Sequence, residues 1–375
     1  MFTLKYIQIK NTILSVLVSS FMICEFASRC SGNYIFSVLL ILISIALAFV
    51  ISIGTTGKII YDRRKIDNFV LIILLLFLFQ LVKFTFNPSF IVLLSVNYVL
   101  LFSVLNSRLY SFYFAVNFIV FSSFVFLKIL NGSNLDEILY NGSRNVVSVV
   151  LMINLMLYHY IQYKNNENIS IYPCVILFFI SLLLMGRGGI VSSVVYLVAV
   201  LCIRLSISAF SIKTVFSVFG VVLMFFVFLY YVADFEVLLD ALLRGFEERG
   251  AKYSEDPRSL MFSNYISNVK FIDFFFGYNF YNDRYFNSLN FNPHNSFICL
   301  HYHIGIFTLP FLLFLICRLF YLLKYNRFLC VLVALICFRA WVDSILFIGP
   351  YDFVLFLFLL DGNFITNKCI SRDRK

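Results

Sequence analysis

The stretch NPHNSFICLHYHIG, Asn292 to Gly305, gathers three of the chain's 4 histidines. An imidazole titrates near neutral pH and can take the proton of a hydroxyl group, which makes it the commonest general base. Asn-Pro-His reads as a helix start, with Asn292 as N-cap, Pro293 as the first helical residue and His294 on the exposed first turn. A lone histidine is more often a structural hydrogen-bond partner than a catalyst, but this one stands where a proton acceptor could meet a substrate at a membrane surface. His301 follows two turns down the same face, where it could orient a substrate or pair within the bundle; His303 falls on another face. No carboxylate or thiol stands at ligand spacing beside them, and Cys299 alone is too little for a metal, so no metal or other cofactor is expected.

Two arginines could supply positive charge. Arg187 sits in MGRGGIV, where Gly186, Gly188 and Gly189 permit tight backbone geometry and close approach of a ligand. A helix begins there, so its free N–H groups and positive dipole end would favour a phosphate, with the guanidinium as a bidentate clamp. An arginine that snorkels to the headgroups is the equal alternative. Arg258 follows Asp256-Pro257, an N-cap and first helical residue, and by itself is more simply a solvated surface arginine. Arg339 and Asp343, one helical turn apart inside an apolar run, would share a face and neutralise each other as a structural ion pair.

The elements that carry these residues are those of a membrane protein. The chain has 375 residues, 62% of them hydrophobic and 13% charged, with a mean hydropathy of +0.94. Apolar runs of roughly 20 residues recur, the length of a membrane-crossing helix. About 12 spans are predicted, at 12–28, 33–53, 67–82, 89–105, 110–127, 145–161, 169–185, 189–205, 213–233, 296–317, 328–348 and 351–366. The nine cysteines scatter through these runs and form no disulfide framework. The formal charge of +10 is a topology signal. Lys58, Arg63, Arg64, Lys65, Arg108, Lys164, Arg204, Lys213, Arg318, Lys324 and Arg327 fall in one set of loops, together with basic termini. That side and both termini are therefore expected in the cytoplasm, and no nucleic-acid partner is expected.

The organisation expected is an all-α bundle. Residues 1–233 form spans 1 to 9, 234–294 one long outer loop, and 295–375 the last three spans and a tail. The loop carries more acidic than basic residues, so it is no basic patch. It reads as partly helical: FEVLLDALLRGF has apolar residues at helical spacing, and after Asp256 the residues Phe262, Ile266 and Val269 line one face. FIDFFFGYNFY is an aromatic segment suited to the membrane interface.

Arg187 in GRGGI, Arg258 in DPRSLMFSNYISNV, Gly277 in FFFGYNF, and His294-Asn295 running to Gly305 stand in the order and spacing of four short motifs. In these, over about residues 175–320, the chain resembles the bacterial O-antigen polymerases and O-antigen ligases. The resemblance implies a metal-independent glycosyltransferase of the inner membrane, its long loop in the periplasm, acting on a glycan carried by undecaprenyl diphosphate. It implies His294 as general base. It implies Arg187, Arg258, Gly188 and Gly189 as the diphosphate site, and Asn295, His301 and Tyr278 as positioning residues. Its partners would be the lipid-linked glycan, the bilayer, and a polysaccharide chain-length regulator. The compact size, sparse cytoplasmic loops and Phe- and Tyr-rich composition resemble those of the polymerases, and by that analogy polymerase is favoured over ligase. A flippase for the same lipid-linked sugar is the rival of another class, although transporters place polar groups near the midplane and here they crowd the outer face.

Overall fold

A computed structural model describes residues 2–53, 88–140, 143–207, 257–288, 293–347 and 349–361. Among them the chain is helical, without strands. The helices are α1 (Phe2–Ser31), α2 (Tyr34–Ile53), α3 (Pro88–Asn106), α4 (Ser111–Leu130), α5 (Arg144–Lys164), α6 (Tyr172–Leu183) and α7 (Arg187–Ile207). The second half carries α8 (Pro257–Asn268), α9 (Phe271–Phe276), α10 (Arg284–Ser288), α11 (Ser296–Ile304), α12 (Thr308–Tyr325), α13 (Arg327–Val342) and α14 (Asp352–Leu360). Seven helical stretches among the described residues are long and apolar enough to cross a membrane. The spans expected at 67–82 and 213–233, the segment FEVLLDALLRGF and the cap Asp256 lie outside the described residues.

The described helices fall in two compact units. One comprises Met1–Glu25, Tyr34–Tyr110 and Arg258–Lys375, so the later part of the long loop groups with the helices that follow it. The other comprises Phe26–Asn33 and Ser111–Pro257.

In the second unit α5 is the inner helix, packed against α4, α6 and α7 and buried from Val147 to Gln162. Several of the polar groups it carries inward are hydrogen-bonded. Asn154 donates to the Val150 carbonyl at 2.8 Å, His159 Nδ1 lies 2.8 Å from the Tyr196 hydroxyl, and Gln162 donates to the Tyr158 hydroxyl at 2.8 Å. A helix buried on all sides need not be amphipathic, and its hydrogen-bonding residues then specify neighbours.

In the first unit the predicted spans 296–317 and 328–348 are not continuous helices. The first is broken at Gly305, which has φ +52, and one 3-10 turn, Gly305–Phe307, separates α11 from α12. Helix α13 stops at Val342, and the described residues from Asp343 to Tyr351 are not helical and are mostly buried. Bare backbone at membrane depth is tolerated only where protein satisfies it, and here three side chains do so. Ser296 Oγ donates to the Asp343 carbonyl at 2.6 Å and accepts from the N–H groups of Ile345 and Leu346, each at 3.1 Å. Asp352 accepts from the N–H groups of Phe347 at 2.8 Å and Gly349 at 3.0 Å. Asn97, on α3, donates to the Gly349 carbonyl at 2.9 Å and accepts from the Phe353 N–H at 2.8 Å.

These contacts fix how α11 runs. Helices α12 and α13 pack together and are joined by Asn326 alone, so they form an antiparallel hairpin. As one straight rod, α11 and α12 would hold Ser296 about 43 Å from Tyr325, whereas the far end of α13 is only about 24 Å from Asn326. Ser296 nevertheless bonds Asp343 just beyond that end. The break at Gly305 therefore turns α11 across the end of the hairpin instead of extending α12. Arg339 and Asp343 form the ion pair expected of them, almost fully buried.

Candidate functional site

The loop is clasped onto α11. Met261 and Tyr265 of α8, Phe280, Phe286 of α10 and Ile298 of α11 form a buried cluster, flanked by Tyr278, Tyr285, Cys299 and Tyr302. The clasp depends on two glycines. A Cβ at Gly277 (φ +85) would overlap the His301 carbonyl oxygen and lie 2.7 Å from that of Tyr302. A Cβ at Gly305 would overlap the Phe275 carbonyl and lie 3.0 Å from the Phe276 carbonyl carbon. Each backbone thus rests on the other at van der Waals contact, which only glycine permits.

His301 joins three helices. Its Nε2 lies 3.1 Å from the Phe274 carbonyl. A carbonyl can only accept, so Nε2 carries the proton of the neutral ring and Nδ1 accepts from the Tyr265 hydroxyl. Burial pushes the Tyr265 phenol well above its usual value, so it remains a donor. Tyr278 meets Tyr265 edge to face at 5.5 Å and gives its hydroxyl proton to Asp283 at 2.7 Å. Burial, and then the bond to Asp283, push the Tyr278 phenol up to about 12. Burial alone would raise the Asp283 carboxyl. Bonds from Tyr278, the Tyr285 N–H, Asn268 and Asn264 outweigh it and hold the group below the usual carboxylate range. Two of the three positioning candidates, His301 and Tyr278, thus make hydrogen bonds within the clasp.

Helix α11 begins later than its sequence suggests. Asn292 lies outside the described residues, Pro293 is not helical, and the N-cap is Asn295, whose Oδ1 accepts from the N–H groups of Phe297 at 2.8 Å and Ile298 at 3.2 Å. An asparagine cap satisfies free donors of the first turn. His294 precedes the cap, half-buried, with φ +45. His303 stacks on Phe90 with ring centroids 5.4 Å apart. Arg258 is the second residue of α8, and its side chain lies outside the described residues.

Arg187 belongs to the other unit. It is exposed and is the first residue of α7, after a tight turn in which Met185 has φ +54. The neighbouring glycines bring helices together. A Cβ at Gly186 would stand 2.6 Å from Asn145 Oδ1, and one at Gly189 would lie 2.9 Å from Ser148 Cβ, both on α5. Gly188 offers its carbonyl to Ser192 Oγ at 2.6 Å. Tyr265 and Asp283 do not stand out in the sequence: an aromatic at helical spacing and a loop acid are common, and only the fold makes them partners of His301 and Tyr278. Compared with models of protein families, with curated proteins and with solved structures, the chain matches none of them.

Proposed function

We propose that the chain is a membrane glycosyltransferase of the O-antigen polymerase kind, joining glycan repeat units carried on undecaprenyl diphosphate. What supports the reading most is the clasp. The aromatic segment around Gly277 and the segment from His294-Asn295 to Gly305 are separate motifs in the sequence, and each supplies the glycine against which the other packs. In the reaction an acceptor hydroxyl attacks the anomeric carbon of the donor. The new C–O bond forms as the bond to the diphosphate breaks, its electron pair leaves with the lipid diphosphate, and the hydroxyl proton passes to the His294 imidazole. Arg258, in the same unit as His294, serves to bind the diphosphate, a charge-assisted contact contributing about 1.5–3 kcal/mol, and more where water is excluded; Arg187, at the N-terminus of α7, is a separate candidate for a phosphate contact. Asn295 serves by fixing the start of α11 beside His294, and Tyr278 and His301 by holding the loop on it.

Deletion in the bacterium that carries the protein tests the reading. Without a polymerase, single units are still exported and transferred to the lipid A core, so lipopolysaccharide should show core plus one unit and no ladder. A bare core with accumulated lipid-linked polymer would make the protein a ligase. A bare core without polymer would make it a flippase.

A further inference from the structure

Helix α9 buries none of its six residues. Phe271 is 82% exposed and Ile272 64%, and Phe274, Phe275 and Phe276 are exposed as well. Such a row is costly in water. Three observations say what covers it.

The first is depth. Helix α12 has 18 residues and rises about 27 Å, close to the hydrocarbon thickness of about 30 Å. Its outward residues Leu309, Leu313, Phe314, Ile316 and Phe320 are exposed and apolar, as a lipid-facing side must be. One edge of the hydrocarbon therefore lies near Gly305–Thr308, where α9 packs. The second is Trp341. It is half exposed near the end of α13, about one turn inward of Thr308 in the hairpin, and tryptophan favours the membrane–water boundary. Its ring lies 5.3 Å from that of Phe262 on α8, so the loop helices reach that boundary. The third is continuity and charge. Phe307, exposed in the turn after Gly305, joins the apolar row of α9 to that of α12, and exposed Lys270 stands at the start of α9.

We propose that α9 is a foot resting in the boundary between headgroups and acyl chains of the leaflet on the loop's side. Its phenylalanines enter the lipid, and Lys270 lies among anionic headgroups. The foot keeps α11 lying along that surface. Its histidines then stand in the headgroup layer, within reach of a lipid-borne molecule that never leaves the membrane. The proposal does not depend on the reaction proposed above.

The chain has 1 tryptophan, which provides the test. The full-length protein is placed in vesicles of phosphatidylethanolamine and phosphatidylglycerol containing brominated phosphatidylcholine, and Trp341 gives the reference for boundary depth. Two reporters follow, Trp341→Phe/Phe271→Trp and Trp341→Phe/Ile272→Trp; both new positions are exposed, so either should fold. Bromines near the headgroup should quench both reporters within twofold of Trp341 and at least twofold more than bromines deep in the chains. Iodide should quench them at least threefold less than N-acetyltryptophanamide. Iodide quenching equal to that of the free compound, without lipid quenching, would place α9 in water and overturn the proposal. Shielding from both quenchers would mean that a protein surface covers α9 and would overturn it equally.

Discussion

His294 holds a backbone conformation that few residues other than glycine adopt. Its φ of +45 lies between a buried proline and the extended Asn295, and it frees the Asn295 side chain to cap α11. Histidine, asparagine and aspartate tolerate this region better than most. His294→Asn is therefore a substitution that the backbone accepts, and one that keeps hydrogen-bonding capacity while removing the base. It should leave the unfolding midpoint unchanged and reduce turnover by about 10²-fold or more. Polymer synthesis by purified protein from lipid-linked donor, beside a thermal melt, gives both readings. Activity above about a tenth of wild type with an unchanged melt would exclude His294 as the base. The sequence singles this residue out as a candidate, and its setting was not legible there. Asn-Pro-His and His-Asn-Ser each offer a helix cap, and local pattern cannot rank them. Ser296 ranks them, because its bonds to Asp343, Ile345 and Leu346 pin the helix start from 47 to 50 positions away.

At the scale of elements, Gly277 and Gly305 carry two separate demands, positive φ and a backbone lying against the Cα. Gly132 separates them, since it has φ +67 and nothing near its missing Cβ. Gly132→Ala should cost about 1–2 kcal/mol, the left-handed penalty alone. Gly277→Ala and Gly305→Ala add an overlap with fixed carbonyls and should cost at least about 1–3 kcal/mol more. Limited proteolysis between α8 and α10, compared across the three variants, measures the difference; equal susceptibility of all three would show that the clasp is not tight. The runs that became α2 to α5 and α7 were plain in the sequence to within a few residues, because bilayer thickness dictates their length and composition. The breaks at Gly305 and after Val342 were not plain. Leu, Ile and Phe continue through both, and hydropathy does not register a turn whose polar groups are satisfied by Ser296, Asp352 and Asn97.

For the whole molecule, the asymmetry of Lys and Arg makes a prediction independent of any chemistry. Alkaline phosphatase fused after Asp273 should be active and fused after Lys375 inactive; the reverse would turn the His294 surface toward the cytoplasm. The buried segment between α13 and α14 also bears on how the chain is assembled. Asn97 and Gly349 are partners across 252 positions. A stretch whose backbone groups lean on Ser296 of α11 and Asn97 of α3, beside Asp352 of α14, has no stable place in lipid when it first leaves the insertion machinery. It must wait, shielded at the lateral gate or in water, until the earlier helices are present to receive it. The order of synthesis thus becomes an order of docking. A truncated protein ending at Tyr325 would lack its last closure, and a chain bearing Asn97→Leu would reach the membrane complete and still leave its final segment unhoused.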